Sequence, residues 1–275
     1  MAAFEELPEE CVAAILSRTT PFDAVRLSLV SKTFRSAANS DEVWNQFLPS
    51  DSQFIDTVIS QFPSLANAST KKDLYLALSD CRIITEDRRK SFQLDRKSGK
   101  NCYMIDSRSL TFDDGYFLPQ WKRISIPMHE SRFPEVAELD DVCGIDICGM
   151  INTIALSPNT QYVAYLVFKM ADVFGLNRIP VEFTVRVENP HYHNATIVCL
   201  YPNVESRGHK NSEVGLQLVE VLSRARSDGW FEIEIGEFFN LGIEYEEIQM
   251  NVNVEIKDGF LNTCLLVEGI EARPK

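Results

Sequence analysis

The spacing of apolar residues changes partway along the chain. Through residue 98 they recur at steps of three and four; from Asn101 onward they fall at every second position. The first period is that of helices with one buried side, the second that of half-buried strands. Leu7-Pro8 followed by Glu9 and Glu10 opens the first helix, since proline suits the first helical position and acids favour the positive end of the helix dipole. Cys11, Val12, Ile15 and Leu16 then form its apolar stripe. A second run starts at Pro21-Phe22-Asp23 and is predicted to continue to Ala38 as one helix. That helix is apolar on two sides, with Val25 and Leu29 on one and Leu27, Val30, Phe34 and Ala38 on the other. Chains below ~40 residues rarely build a sufficient core, and this segment is barely longer. One face closes against the first helix; the following segment or a partner must cover the other.

Phe54, Ile55, Val58, Ile59 and Phe62, ending at Pro63, predict a further helix. Leu74, Tyr75, Leu78 and Cys81 predict another after Ser69-Thr70, so residues 49–98 read as a firm helical spacer without glycine. The basic run Arg88, Arg89, Lys90, Arg96, Lys97 and Lys100 reads as a solvated junction, with a nuclear-localisation signal as the alternative. Beyond it, Val181, Phe183, Val185 and Val187 alternate with polar residues, as do Ile248, Met250, Val252, Val254 and Ile256. Phe231, Ile233 and Ile235 do so with Glu232 and Glu234 predicted outward. Tyr162 to Met170 is apolar almost throughout, which predicts a central strand buried on both faces. The turn-forming Ser157-Pro158-Asn159-Thr160 precedes it. Short alternating strands separated by turns predict an antiparallel β-sandwich of jelly-roll type. The fold class is thus multidomain, a helical part followed by an all-β part.

The 275 residues suit two domains with ample apolar content. No run of 18 apolar residues exists, and four glutamates among the first ten residues do not make a secretory leader. Seven cysteines without paired ligand spacing read as reduced thiols of the cytoplasm or nucleus. From residue 99 the chain carries 15 Lys+Arg against 26 Asp+Glu, which argues against nucleic acid and anionic membranes as partners.

Leu7-Pro8, Ile15-Leu16, Leu27, Val30-Ser31-Lys32-Thr33-Phe34-Arg35 and Trp44 together resemble an F-box. The resemblance implies docking on the Skp-type adaptor of a cullin-based ubiquitin ligase through Leu7, Pro8, Ile15, Leu16, Leu27, Val30, Phe34 and Trp44. Residues 99–110, 132–152, 156–169, 228–240 and 266–275 resemble the phloem protein 2 family, the plant lectin domain related to the tobacco jasmonate-induced agglutinin. The stretch Ser91 to Met104 resembles the junction of the plant subfamily that joins an F-box to this domain through a helical spacer. The family implies binding of N-acetylglucosamine oligomers, a ring packing on an aromatic beside orienting polar groups. Of the tryptophans that such lectins carry at the positions of Asp114, Trp121, Arg123 and Gly144, only Trp121 is kept. Phe260 matches an aromatic, and Glu232 a glutamate that contacts sugar. Trp230 also matches but is expected in the core.

Enzyme readings find little support. His191 and His193 share a strand face without a further ligand, and Cys143 and Cys148 point to opposite faces, so no metal or other cofactor is expected. The acids Asp113-Asp114, Asp140-Asp141, Glu244, Glu246 and Glu247 read as solvated charge. The resulting expectation is an F-box at 1–48, a helical spacer at 49–98 and a lectin-like β-sandwich at 99–275. Its function would be to present a target protein or glycoprotein to a Skp–cullin–F-box ligase, without catalysis by this chain. The alternative is an intracellular lectin that binds a glycan and carries a vestigial F-box.

Overall fold

A computed structural model describes residues 7–49, 59, 65–113, 121–139, 144–170, 181–189, 192–200, 224–242, 247–256 and 264–275. The chain forms two compact units, Met1–Ile83 with Phe92–Cys102, and Ile84–Ser91 with Tyr103–Arg273.

In the first unit, α1 (Glu9–Leu16) starts after Pro8 and buries Val12, Ala13 and Leu16. Cys11 and Ile15 are exposed, so the expected stripe narrows and shifts towards Ala13. α2 (Pro21–Leu27) is capped by Thr20, whose Oγ1 accepts the Asp23 N–H at 3.1 Å. The single helix expected from 21 to 38 is in fact two. The chain turns through Ser28 to Val30, and α3 (Lys32–Ala37) restarts with Ser31 as its cap, Oγ accepting the Phe34 N–H at 3.2 Å. A serine that bonds forward to the backbone competes with the helical ladder, and apolar periodicity does not register that competition. The break turns Phe34 inward and leaves Leu29 and Val30 outside.

α4 (Asp41–Asn45) buries Trp44, whose indole N–H donates to Ala38 O at 2.6 Å. α5 (Lys71–Asp80), capped by Thr70, supplies Leu74, Tyr75 and Leu78 to the same core. The Trp44 and Tyr75 ring centroids are 5.2 Å apart. The rest of the predicted helical spacer is corrected: β1 (Ile83–Ile84) and β2 (Lys90–Leu94) are strands, and Ile83, Phe92 and Leu94 complete the core that Val12 and Leu16 begin. Of the helix expected over Phe54–Phe62, only Ile59 lies among the described residues.

The second unit contains β3 (Asn101–Asp106), β4 (Thr111–Asp113), β5 (Trp121–Ser125), β6 (Glu135–Leu139), β7 (Gly144–Asn152) and β8 (Thr160–Met170). These are followed by β9 (Val181–Asn189), β10 (Tyr192–Leu200), β11 (Arg224–Ala225), β12 (Phe231–Asn240), β13 (Glu247–Ile256) and β14 (Leu265–Pro274). One sheet runs β3-β14-β8-β12-β11, with β6 also beside β14 and β5 beside β6; the other runs β10-β9-β13-β7-β4. Ile147, Ile151, Ile248, Met250 and Val252 of the second sheet pack on Tyr162, Leu166, Phe168, Ile233, Ile235 and Phe238 of the first, as the alternation predicted. β8 is central and buried on both faces: Leu166 and Phe168 enter the inter-sheet core, while Val167 packs outside it with Met104, Phe133, Val136 and Trp230. The turn before β8 carries Asn159 at φ 49°.

Val267 and Ile270, three residues apart on β14, both enter the inter-sheet core. One extra residue is therefore accommodated between them, at Gly269, where a Cβ would collide with the carbonyl oxygen of Ile105. This places Glu268 and Glu271 on the opposite, outer face of the sheet, beside the loop that carries Arg132.

Candidate functional sites: an open apolar rim and a closed carboxylate network

The eight residues expected to meet an adaptor do not lie on one open surface. Leu7, Pro8, Ile15 and Val30 are exposed, Val30 by 67% and Ile15 by 41%. Leu27 is half-buried against the core. Leu16, Phe34 and Trp44 are buried, and the expectation that they present a face to a partner is corrected. Their apolar surface is used to close the unit on itself, because the break at Ser31 and the packing of α5 fold them inward. Phe22, Val25 and Leu29 are open instead, Leu29 by 75%. Of the large apolar side chains exposed among the described residues, six of eleven fall between residues 7 and 30. In the same unit, Ser36 Oγ donates to Glu9 Oε1 at 2.7 Å, tying α3 to α1, and the Lys71 N–H donates to Asp41 Oδ1 at 2.8 Å.

In the β unit, Trp121 is half-buried at the start of β5. Its ring lies 5.1 Å from that of Phe112, and the Arg123 guanidinium sits 5.3 Å from its centroid. Glu232 is buried, contrary to its expected outward orientation. Its Oε2 is ion-paired with Arg273 at 2.8 Å and lies 3.6 Å from Arg226. The two residues expected to share a sugar site are not brought together. β5 reaches β12 only through β6, β14 and β8, four strand spacings or roughly 19 Å along the sheet. Asp114 and Phe260, and the side chain at 144, lie outside the described residues. Trp230 is in the core as expected, its indole N–H donating to Glu130 O at 2.8 Å.

Around Glu232 the outer face of this sheet holds a network that the sequence reading did not find. Arg132 Nη1 donates to Glu271 Oε1 at 2.8 Å and Arg226 Nη1 to Glu271 Oε2 at 2.7 Å. Glu268 Oε1 accepts the Ser131 hydroxyl at 3.0 Å and the Arg132 backbone N–H. Burial alone would push the Glu271 carboxyl up, but the guanidiniums of Arg132, Arg226 and Arg273 outweigh it and hold the pKa down at about 2. The carboxylates and guanidiniums pair with one another and are largely shut from solvent, but Arg132 Nε, Glu232 Oε2 and Glu268 Oε2 are buried without a hydrogen-bond partner, so the network is closed and incompletely satisfied. A signal existed in the acids of the otherwise apolar Leu265–Ala272, but a strict two-residue period puts Glu268 and Glu271 on opposite faces. Among the described residues no group of three or more His, Cys, Asp or Glu is arranged to hold a metal ion. His191 and the side chain of His193 lie outside them. No described helix is long and apolar enough to cross a membrane.

Two family models match the chain: one described as Phloem protein 2 over residues 100–274, and the F-box domain over residues 4–46. Similar proteins of Arabidopsis thaliana include putative F-box protein PP2-B12, 39% identical, with 99% of this chain and 98% of the relative covered. F-box protein PP2-B10 is 38% identical, covering 98% of this chain and 94% of the relative. F-box protein VBF is 38% identical with 98% and 99% covered. Among solved structures, a carbohydrate-binding module in complex with β-1,4-galactotriose is similar at a TM-score of 0.35 and 10% identity, over 62% of this chain and 91% of that one. A xylan-binding domain from Paenibacillus barcinonensis gives 0.29 and 12%, over 62% and 87%. Likenesses this slight carry no argument about ligands.

Proposed function

The chain belongs to the phloem protein 2 family and carries an F-box ahead of that domain; from this premise we propose that it is the substrate receptor of a Skp–cullin–F-box ubiquitin ligase, acting in the cytoplasm and nucleus. The observation that carries the reading is the open apolar rim of Leu7, Ile15, Phe22, Val25, Leu29 and Val30 over a core already closed by Leu16, Phe34 and Trp44. Burying side chains of this size contributes ~1.5–3 kcal/mol each, enough for a few to anchor an adaptor. The β unit selects the target. Its part in the chemistry is proximity: it holds a protein beside the thioester of another subunit, so no catalytic residue of its own is required. The closure of Glu232 and its distance from Trp121 favour recognition of a protein surface over an N-acetylglucosamine oligomer.

Purified Skp-type adaptor tests this. Leu29→Glu with Val30→Glu should lower adaptor binding at least a hundredfold, while thermal unfolding of the chain alone stays unchanged, because both side chains are already mostly in water. Undiminished binding by a folded double variant would show that the rim is not the docking face.

A further inference from the structure

Two residues of the open rim, Phe22 and Val25, stand on α2, a helix of seven residues that buries Pro21 and Ala24 and leaves Leu27 half-buried. A helix this short is marginal by itself, and two small side chains in the core fix its direction weakly. Where the rim points therefore depends on what holds the first turn. Pro21, at the first helical position, has no N–H to satisfy. The Asp23 N–H goes to Thr20 Oγ1 and the Ala24 N–H to Thr20 O at 2.9 Å. The Phe22 N–H is left over, and it donates to Lys97 O at 3.3 Å. That acceptor lies far beyond the F-box match, which ends at residue 46.

Lys97 is presented by a tightly bonded turn. The Asp95 N–H donates to Lys100 O at 2.7 Å and the Gly99 N–H to Asp95 O at 2.8 Å. Asp95 Oδ2 accepts the Ser98 N–H at 2.7 Å and the Ser98 hydroxyl at 2.6 Å. From the core, the Tyr75 hydroxyl lies 3.1 Å from Asp95 O and 3.3 Å from Arg96 O, while its ring packs beside Trp44. Gly99 closes the turn in the left-handed region, at φ 73°. A Cβ there would also stand 3.0 Å from Pro21 Cγ and 3.6 Å from Tyr75 Oη. Glycine is required twice at this position, for the backbone and for the approach to α2. The Lys97 side chain is exposed, so the turn holds α2 through a carbonyl and not through a charge.

We propose that the turn Asp95–Gly99 is the seat of α2 and part of the adaptor-docking apparatus, with Gly99 and Tyr75 as positioning residues that set Phe22 and Val25 for the adaptor. Neither residue touches the adaptor; each acts through α2. Gly99 leaves room for Pro21, and Tyr75 holds the two carbonyls that precede Lys97. A methyl at 99 forces the turn and Pro21 apart by a few tenths of an ångström and loosens the bond to Phe22. Leu16, Phe34 and Trp44 keep the core of the unit closed meanwhile. The unit competent to dock accordingly runs to the end of this turn and does not stop at Leu48. The inference deepens the ligase reading and rests on it.

The test measures adaptor affinity of the full chain by surface plasmon resonance, at a temperature where melting curves show each variant folded, together with hydrogen exchange of the Phe22 amide in the chain alone. Gly99→Ala should weaken binding about fivefold and speed Phe22 exchange about tenfold. Gly99→Ala with Pro21→Ala, which removes the ring carbon that the new methyl meets, should bind within about twofold of Pro21→Ala alone. Loss of stability alone would not be relieved in that way. Tyr75→Phe keeps the ring beside Trp44 and should weaken binding about two- to threefold; it carries the test if Gly99→Ala fails to fold. Lys97→Ala keeps its carbonyl and should bind as wild type. Wild-type affinity in Gly99→Ala or Tyr75→Phe would overturn the proposal, as would a loss that Pro21→Ala does not relieve. So would weakened binding by Lys97→Ala, which would put the turn in direct contact with the adaptor. A wild type that never binds adaptor sinks the ligase reading instead, and the exchange of Phe22 still reports whether the seat exists.

Discussion

Arg132 Nη1 meets Glu271 Oε1 at 2.8 Å, with the two side chains only 5% and 6% exposed. The pair joins the loop before β6 to the final strand across 139 residues of sequence. Removing one partner of a buried pair leaves an uncompensated charge, which typically costs ~3–5 kcal/mol. Arg132→Ala is therefore expected to lower stability by about that much in urea unfolding. Lys122→Ala, which removes a 2.8 Å pair with Glu138 from a side chain 60% exposed, should cost less than ~1 kcal/mol. Equal effects would mean that the Arg132 pair is not shut from solvent.

The same network makes stability depend on acid. The Glu271 carboxyl has a folded pKa of about 2, against an ordinary value of 4.5. A depressed acid contributes its stability above the unfolded pKa and loses it as the pH falls towards the folded one. The wild type should lose on the order of 3 kcal/mol between about pH 5 and pH 2 from this group, counting roughly 1.4 kcal/mol per pKa unit. Glu271→Gln, which has no proton to gain, should start less stable and show a flatter slope across that window in urea titrations at stepped pH. Parallel slopes for the two proteins would exclude Glu271 as the source.

Within the helical unit, core and rim should separate cleanly. Phe34→Ala or Trp44→Ala removes a ring from a filled interior and is expected to cost ~3–5 kcal/mol. Leu29→Ser alters a side chain already in water and should stay within ~0.5 kcal/mol. Loss of adaptor binding in the first two would then reflect an unfolded unit, and only the third would report on the surface. Thermal melts of the intact chain, taken before any binding assay, decide this.

The apolar periods carried much of this architecture. The alternation of Ile248, Met250 and Val252 and the unbroken run of Tyr162 to Met170 translate directly into half-buried and central strands. They do so because burial on one face or on both is a property of the strand itself. What stayed illegible depended on single hydrogen bonds or on one inserted residue. The Ser31 cap splits a helix that periodicity reads as continuous, and so exchanges which of Leu29, Val30 and Phe34 face water. The extra residue at Gly269 brings Glu268 and Glu271 to one face, where a two-residue period separates them. The Asn240 amide bonds to the carbonyls of Thr153, Leu156 and Ser157, a proximity with no trace in the local pattern.

Trp121 and Glu232 offer the sharpest test of how the β unit is built. Resemblance to the lectins pairs them in one sugar site; the strand order sets them four strands apart. Residues beyond ~7–10 Å with no shared partner usually contribute additively to stability. Trp121 touches Phe112 and Arg123, Glu232 touches Arg273 and Arg226, and the two sets do not overlap. Glu232→Ala leaves those two partly buried guanidiniums short of a counter-charge and should cost ~2–3 kcal/mol, with part of the loss offset by Glu271 beside Arg226. Trp121→Ala removes a half-buried ring and should cost ~1–2 kcal/mol. The double variant should then match the sum of the two within ~0.5 kcal/mol in urea unfolding. A coupling above ~1 kcal/mol would place the residues in contact, restore the shared site that resemblance implies, and make glycan binding the first activity to assay.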